Sequence, residues 1–124
     1  MKLDNRTANI LMQMGASPAL LGYAYIKTAV NVIIKNKSDW RQVTKVLYPE
    51  VAKIHGTTPS KVERAIRHCV EKMYLSGNIS ALTQIIPSYN VEKGKATNSE
   101  FLATLAEYLK QEGDNCGLSV HQEK

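Results

Sequence analysis

The sequence has few cysteines and no long apolar run, and both absences narrow the class of protein. Cys69 and Cys116 are the only cysteines among 124 residues, too few for a disulfide framework, so we expect free thiols in a reducing compartment. Apolar runs such as AVNVII are far shorter than the roughly 20 residues of a membrane span. No hydrophobic signal-peptide stretch follows Met1. We therefore expect a cytoplasmic protein with no membrane partner.

The sequence also lacks the patterns of an enzyme or a metal site. It contains no glycine-rich phosphate loop and no convincing pair of carboxylates. The histidines His55, His68 and His121 have no obvious nucleophile partner. His68 and Cys69 are adjacent, so they point to different helix faces and make a poor metal pair, and Cys69 fits a small core residue. We expect no enzymatic activity, no cofactor and no metal.

The sequence has the composition of a globular protein, with more basic than acidic residues. Hydrophobic residues make up 44% of the chain, and 124 residues are enough for one domain with a core. Sixteen Lys and Arg residues exceed eleven Asp and Glu residues, giving a formal net charge of +5. Ordinary proteins often share this balance, but it favours acidic partners, with nucleic acid first among them.

Capping residues and apolar spacing in the first half predict three helices. Asp4 is suited to cap a first helix that ends at Gly15. Ser17 and Pro18 can open a second helix that runs to about Lys35. That helix is apolar nearly all round, which indicates a buried central helix. Residues 42–56 hold a third, with Pro49 at its start or at a kink and Gly56 at its end.

The second half predicts three more helices and no strand. Thr58 and Pro59 open a helix over 59–75 that stops at Gly77, and a short helix in 78–86 precedes Pro87. In TNSE, Thr97 and Glu100 form a capping box that opens the last helix. The fold class is therefore all-α, a six-helix domain over 1–113, and 114–124 is expected to be a disordered tail.

The helix over 59–75 separates an apolar arc from a polar one. On a helical wheel with about 100° per residue, the apolar arc contains Val62, Ile66, Cys69, Val70 and Met73. The opposite arc is polar and mostly basic, with Lys61 at its edge: Ser60, Arg64, Arg67, His68, Glu71. Such an arc is commonly just a solvated charge stripe, so a specific role needs further support.

The segment before this helix supplies that support. A helix-turn-helix needs a small residue where its helices cross, a glycine at the turn and an apolar residue that locks the second helix. Ala52, Gly56 and Val62 stand at the expected offsets, and Thr57 and Thr58 fill the turn. Together with the basic outward arc, this spacing predicts a helix-turn-helix that binds double-stranded DNA.

The chemistry of the polar arc suggests a division of roles on DNA. Arginine can donate two hydrogen bonds to the O6 and N7 edge of guanine, and glutamate can accept one from cytosine N4. Residues near the helix N-terminus reach base edges first, and these are Ser60, Lys61, Glu63 and Arg64. Glu63 fits equally well an ion pair with Arg67, four residues on. Phosphate contacts are expected further along the helix from Arg67, His68 and Lys72, and also from Thr58 and Ser60.

The segments KVLYP, VERAIRH and TNSEF, together with GNIS, closely resemble the C-terminal effector domains of sporulation response regulators (the stage 0 sporulation protein A family). The resemblance runs from about Asp4 to Glu112. It implies a six-helix, all-α domain that binds a box resembling TGTCGAA, usually as tandem copies, and that activates or represses transcription at entry into sporulation. The family's base-reading positions fall on Lys61, Glu63 and Arg64, and Lys61 stands where arginine is usual.

The resemblance also implies partners beyond DNA. The segment 78–86 is similar, though less closely, to the surface by which the family touches the polymerase sigma factor, with Ala81 and Gln84 expected to be exposed. The family's receiver domain, with its phosphorylated aspartate, has no room in these 124 residues, so we expect either an excised fragment or a receiver-free relative. The alternative function is a helical protein-interaction module without specific DNA binding, which would keep the core and caps but not Glu63, Arg64 and Arg67.

Overall fold

The chain consists of six helices and no strands over the residues that a computed structural model describes. These are 3–36, 46–76, 78–86 and 97–122, with side chains described for 5–35, 46–75, 78–86 and 97–111. This confirms the all-α, six-helix prediction. The helices are α1 (Leu3–Gln13), α2 (Leu21–Asn36), α3 (Tyr48–His55), α4 (Pro59–Ser76), α5 (Ile79–Ile85) and α6 (Asn98–Gln122).

Helix α2 is the central helix, as predicted. It packs against α1, α3, α4 and α6, and Ile26, Ala29 and Val30 on it are completely buried. The prediction that it is buried nearly all round is wrong at its first turns, where Leu21 is 69% exposed and Ala24 is also exposed. The edge of α2 that contains Leu21 lies beside α4.

Left-handed glycines end two of the helices, as predicted. Gly15 has φ 93° and Gly56 has φ 67°, a region that only glycine adopts without strain. After each glycine the chain turns back on its helix: Ala16 N–H donates to the Leu11 carbonyl, and Thr57 N–H to the Ala52 carbonyl, both at 2.9 Å. These bonds satisfy carbonyl groups that the helix end leaves without partners.

The capping box that opens α6 is also confirmed. Thr97 N–H donates to Glu100 Oε1 at 2.9 Å, and Glu100 N–H donates to Thr97 Oγ1 at 3.2 Å. Each side chain therefore satisfies a backbone donor that the first turn cannot pair. Asn78 caps α5 in a similar way, by accepting from Ala81 N–H at 3.2 Å.

Three predicted helix boundaries differ from the structure. Helix α1 begins at Leu3, so Asp4 lies in its first turn instead of capping it. Residues 17–20 form a separate turn, in which Leu20 N–H donates to the Ser17 carbonyl, and α2 begins only at Leu21. Helix α6 continues through 114–122 to Gln122, where an irregular tail was expected. The division into a domain over 1–113 and a tail stays a prediction.

Some predicted features lie outside the described residues. They include the helix stop at Gly77 and the proline, Pro87, that follows the short helix. The side chain of Cys116 is outside them as well. Within the described ranges, no helix is both long and apolar enough to span a membrane.

Candidate nucleic-acid interface

Helices α3 and α4 pack together across a turn of three residues, 56–58. Ala52 on α3 is 2% exposed and Val62 on α4 is fully buried, so the small residue and the locking apolar residue both face the core. Gly56 supplies the left-handed turn between the helices. The helix-turn-helix role of Ala52, Gly56 and Val62 stays a prediction.

The apolar arc of α4 is buried as predicted. Val62, Ile66, Cys69 and Met73 are completely buried, and Val70 is 1% exposed. Burial raises the pKa of the Cys69 thiol to about 11, which keeps it protonated and a weak nucleophile at neutral pH. Cys69 is thus a core residue. The described residues contain no cluster of three or more His, Cys, Asp or Glu side chains that could hold a metal ion.

The first half of α4 presents polar side chains to solvent. Lys61, Arg64 and Arg67 are exposed, as is Ser60, whereas Glu63 is partly covered. These five residues line a depression of about 290 Å³ on the surface of the helix. The structure therefore brings together all three predicted base-contacting residues, with two of the predicted phosphate contacts beside them.

Glu63 forms the ion pair that was one of its two predicted roles. Its Oε2 lies 3.3 Å from Arg67 Nη1, one helical turn further along α4. The side chains of Glu63 and Arg67 are 36% and 49% exposed, and exposed pairs at this spacing are worth only about 0.3–0.5 kcal/mol. A stronger partner, such as a cytosine amine for Glu63 or a phosphate for Arg67, could replace the pair at small cost.

Thr58 caps the N-terminus of α4. Its Oγ1 accepts from Lys61 N–H at 3.3 Å, and its carbonyl accepts from Val62 N–H at 3.0 Å. This is an N-cap arrangement, which confirms the predicted cap. The hydroxyl still has a proton to donate, and the N-terminus of a helix favours an anion.

The other predicted phosphate contacts lie further along α4. His68 and Lys72 are both exposed. On a wheel of about 100° per residue they stand within roughly 20° of Lys61, so the three follow one line along the helix. At a rise of 1.5 Å per residue, Lys72 lies roughly 16 Å from Lys61 along the axis, which is too far to share the same few base pairs.

Asn98 is a positioning residue that the sequence did not reveal. Its Nδ2 donates to the Tyr48 hydroxyl and to the Glu63 carbonyl, both at 3.1 Å. One amide thus ties the start of α6 to α3 and α4 together. Burial raises the pKa of Tyr48, against the opposing effect of the Asn98 hydrogen bond, so the phenol stays neutral. The capping box marked only the start of α6, and nothing in the sequence indicated which residues Asn98 contacts.

Helix α2 also packs closely against α4, at Gly22. Gly22 lies directly against Ala65 and Cys69, where a side chain would meet the backbone of α4. An isolated glycine inside a helical pattern often marks a close approach, so this signal was present in the sequence. The two supports, Gly22 and Asn98, fix the direction in which the exposed face of α4 points.

The family described as "Sporulation initiation factor Spo0A C terminal" matches residues 7–109. The match spans α2 to α5, most of α1 and the first half of α6, and it includes every residue of the candidate interface.

Proposed function

Because the chain belongs to the Spo0A C-terminal family of DNA-binding sporulation regulators, we propose that α4 enters the major groove and reads a box resembling TGTCGAA. The observation that supports this proposal best is the exposed basic face on the first half of α4, with Lys61 and Arg64 beside one shallow depression. The family is one of DNA-binding regulators and is not a known enzyme family.

The proposed base contacts follow from the chemistry of the three side chains. Arg64 lies near the middle of the exposed face and can donate two parallel hydrogen bonds to guanine O6 and N7. Lys61 can reach a guanine edge as a single charged donor. Glu63 would exchange its ion pair with Arg67 for a cytosine amine, which would leave Arg67 available to a phosphate.

The proposed phosphate contacts surround this centre. Thr58 and Ser60 would donate hydroxyl hydrogen bonds where the chain enters α4. Arg67, His68 and Lys72 would meet the backbone further along the groove. Two to three cationic contacts to phosphates per bound domain imply that the logarithm of the association constant for DNA falls linearly with log[salt], with a slope of about −2 to −3.

Three further parts of the proposal rest on the family resemblance. The domain would bind as a tandem homodimer on adjacent boxes. It would activate or repress transcription, and α5 would touch the polymerase sigma factor. Support for the last part comes from α5 itself, where Ser80, Thr83 and Gln84 are exposed.

The alternative is a helical protein-interaction module without specific DNA binding. The presence of Glu63, Arg64 and Arg67 on one solvent-facing side of α4 favours the DNA-binding function, because a protein-interaction module has no need of these groove-directed groups.

The deciding experiment compares a duplex containing the box with a scrambled duplex of equal length and composition. Fluorescence anisotropy would be measured across a series of salt concentrations. We expect tighter binding to the box at every salt concentration, with similar slopes for the two duplexes. Equal affinity throughout would reduce the function to non-specific binding, and no binding to either duplex would favour the interaction module.

A further inference from the structure

A second concave surface lies beside the depression on the first half of α4. It is a cleft of about 720 Å³ between the first turns of α2 and one side of α4, a volume within the range of small-molecule sites. One wall, named the α2 wall, contains Leu20 from the turn before α2 together with Leu21, Gly22 and Tyr25 of α2. Leu21 is 69% exposed, so its apolar side chain is available to a ligand in the cleft.

The opposite wall of the cleft is basic. Lys61, Arg64 and His68 line it along one side of α4, with Ala65 between them. No Asp or Glu is among the lining residues, although Glu63 lines the neighbouring depression together with Lys61 and Arg64. The cleft thus combines an apolar wall without charge and a wall with basic groups only.

These two walls favour one kind of ligand. An apolar chain lying along Leu20 and Leu21 would remove hydrocarbon surface from water. An anionic head group would meet Lys61 and Arg64, which have no acidic neighbour in the cleft to neutralise them. A purely polar anion would leave the apolar wall in contact with water, and a cation would be repelled.

We propose that this cleft binds a medium-chain fatty-acid carboxylate, with its chain on the α2 wall and its carboxylate against Lys61 and Arg64. The same two cations belong to the proposed DNA-reading face, so the bound acid and DNA compete for them. Binding of the acid stands independently of the proposed function, and only the competition rests on it.

The binding test uses decanoate below the concentration at which it forms micelles. Amide chemical shifts of the labelled protein would be followed during the titration. We expect saturable shifts centred on 19–25 and 61–68. Acetate has the same head group without the chain, and decyltrimethylammonium has the chain with a positive head group, so neither should bind at the same site. Absence of saturable shifts with decanoate, or equal binding of all three probes, would overturn the proposal.

Leu21→Ser tests the apolar wall without disturbing the core, because the side chain is largely exposed. We expect decanoate to bind roughly tenfold more weakly, which corresponds to about 1.4 kcal/mol of lost apolar burial. Met12→Ser is the matched control, since Met12 is 57% exposed on α1 and does not line the cleft. Equal affinities for the wild-type protein and Leu21→Ser would overturn the proposed orientation.

The competition test measures box binding with and without saturating decanoate. We expect weaker box binding in the wild-type protein, a much smaller effect in Leu21→Ser, and no effect of Leu21→Ser on box binding alone. If Leu21→Ser instead weakens box binding and decanoate does not bind, the cleft belongs to the DNA interface and the proposal is wrong. If decanoate binds but the protein does not recognise the box, the ligand site stands and the proposed function fails.

Discussion

Gly22 is the residue on which the packing of α2 against α4 depends most directly. A Cβ atom placed there would lie 2.2 Å from the Ala65 carbonyl oxygen and 2.6 Å from Cys69 Cβ. Both atoms belong to α4, and one of them is backbone, so a rotamer change cannot relieve the clash. Helix propensity and packing therefore predict opposite effects on the stability of the domain when a methyl group is added at this position.

We expect Gly22→Ala to destabilise the domain by about 1–3 kcal/mol, because α4 must move to admit the methyl group. Propensity alone would stabilise a helix by up to about 1 kcal/mol for the same change. Urea unfolding of the wild-type protein and the variant measures the change in the free energy of unfolding. The control is Ala24→Gly at an exposed site on α2, where propensity acts alone. A more stable Gly22→Ala protein would show that the two helices do not approach this closely.

Lys61 stands where the resemblance to sporulation effector domains implies an arginine. Arginine has a rigid fork of donors that matches guanine, whereas lysine has one flexible ammonium group. We expect Lys61→Arg to leave box affinity unchanged or to increase it, as measured by anisotropy at fixed salt. A large loss of affinity would mean that α4 docks differently from the helices of its relatives.

At the scale of elements, the helix ends that depend on local chemistry could be predicted from the sequence. Gly15, Gly56, Thr58 and the Thr97–Glu100 box each act within a few residues of chain, so their neighbours in sequence determine what they do. The buried arc of α4 was predictable for the same reason, since helical periodicity fixes which residues share a face.

The features that the sequence did not reveal depend on contacts between distant segments. Asn98 bonds to residues 35 and 50 positions away, and no local pattern specifies such partners. Leu21 was predicted to be buried because it belongs to an apolar helix, but no other helix covers that edge of α2. The start of α2 was misplaced because Ser17 and Pro18 suit a turn as well as a helix start.

Helix α5 is short, and its two candidate contact residues differ in exposure. Gln84 is exposed as predicted, but Ala81 is half-buried against the core, which corrects the prediction that both are exposed. A charge at Ala81 would disturb packing as well as any partner contact. Gln84 is therefore the better position at which to test the proposed sigma-factor surface.

We expect Gln84→Glu to leave box binding unchanged and to reduce transcription activation in a reconstituted assay with polymerase, because a new charge at a contact surface must be desolvated. The control is Gln13→Glu, the same change at an exposed position of α1. If Gln84→Glu reduces DNA binding and activation equally, α5 supports the fold and is not a separate contact surface.

At the scale of the whole molecule, the net charge of +5 favours DNA of any sequence, so specificity must come from the few side chains that reach bases. In the proposed function, one domain presents only α4 to the groove. Two domains on adjacent boxes would double the base contacts, and contact between them would raise the effective concentration of the second.

We expect a duplex with two adjacent boxes to bind with a higher affinity per site than a duplex with one box, at equal salt. A titration by analytical ultracentrifugation would give both the affinity and the number of bound copies. A spacer of half a helical turn between the boxes is the control, because it places the second copy on the opposite face of the DNA. Identical affinities per site in all three duplexes would mean that these 124 residues do not cooperate.

The central claim, that α4 reads bases, is tested most directly by Arg64→Ala on box and scrambled duplexes, with Lys110→Ala on the exposed face of α6 as the control. Anisotropy at several salt concentrations would give the affinity of each variant for each duplex. We predict that Arg64→Ala costs about 1–3 kcal/mol on the box and little on the scrambled duplex, whereas Lys110→Ala changes neither. An equal loss on both duplexes would contradict base reading by Arg64 and would leave it as a phosphate contact.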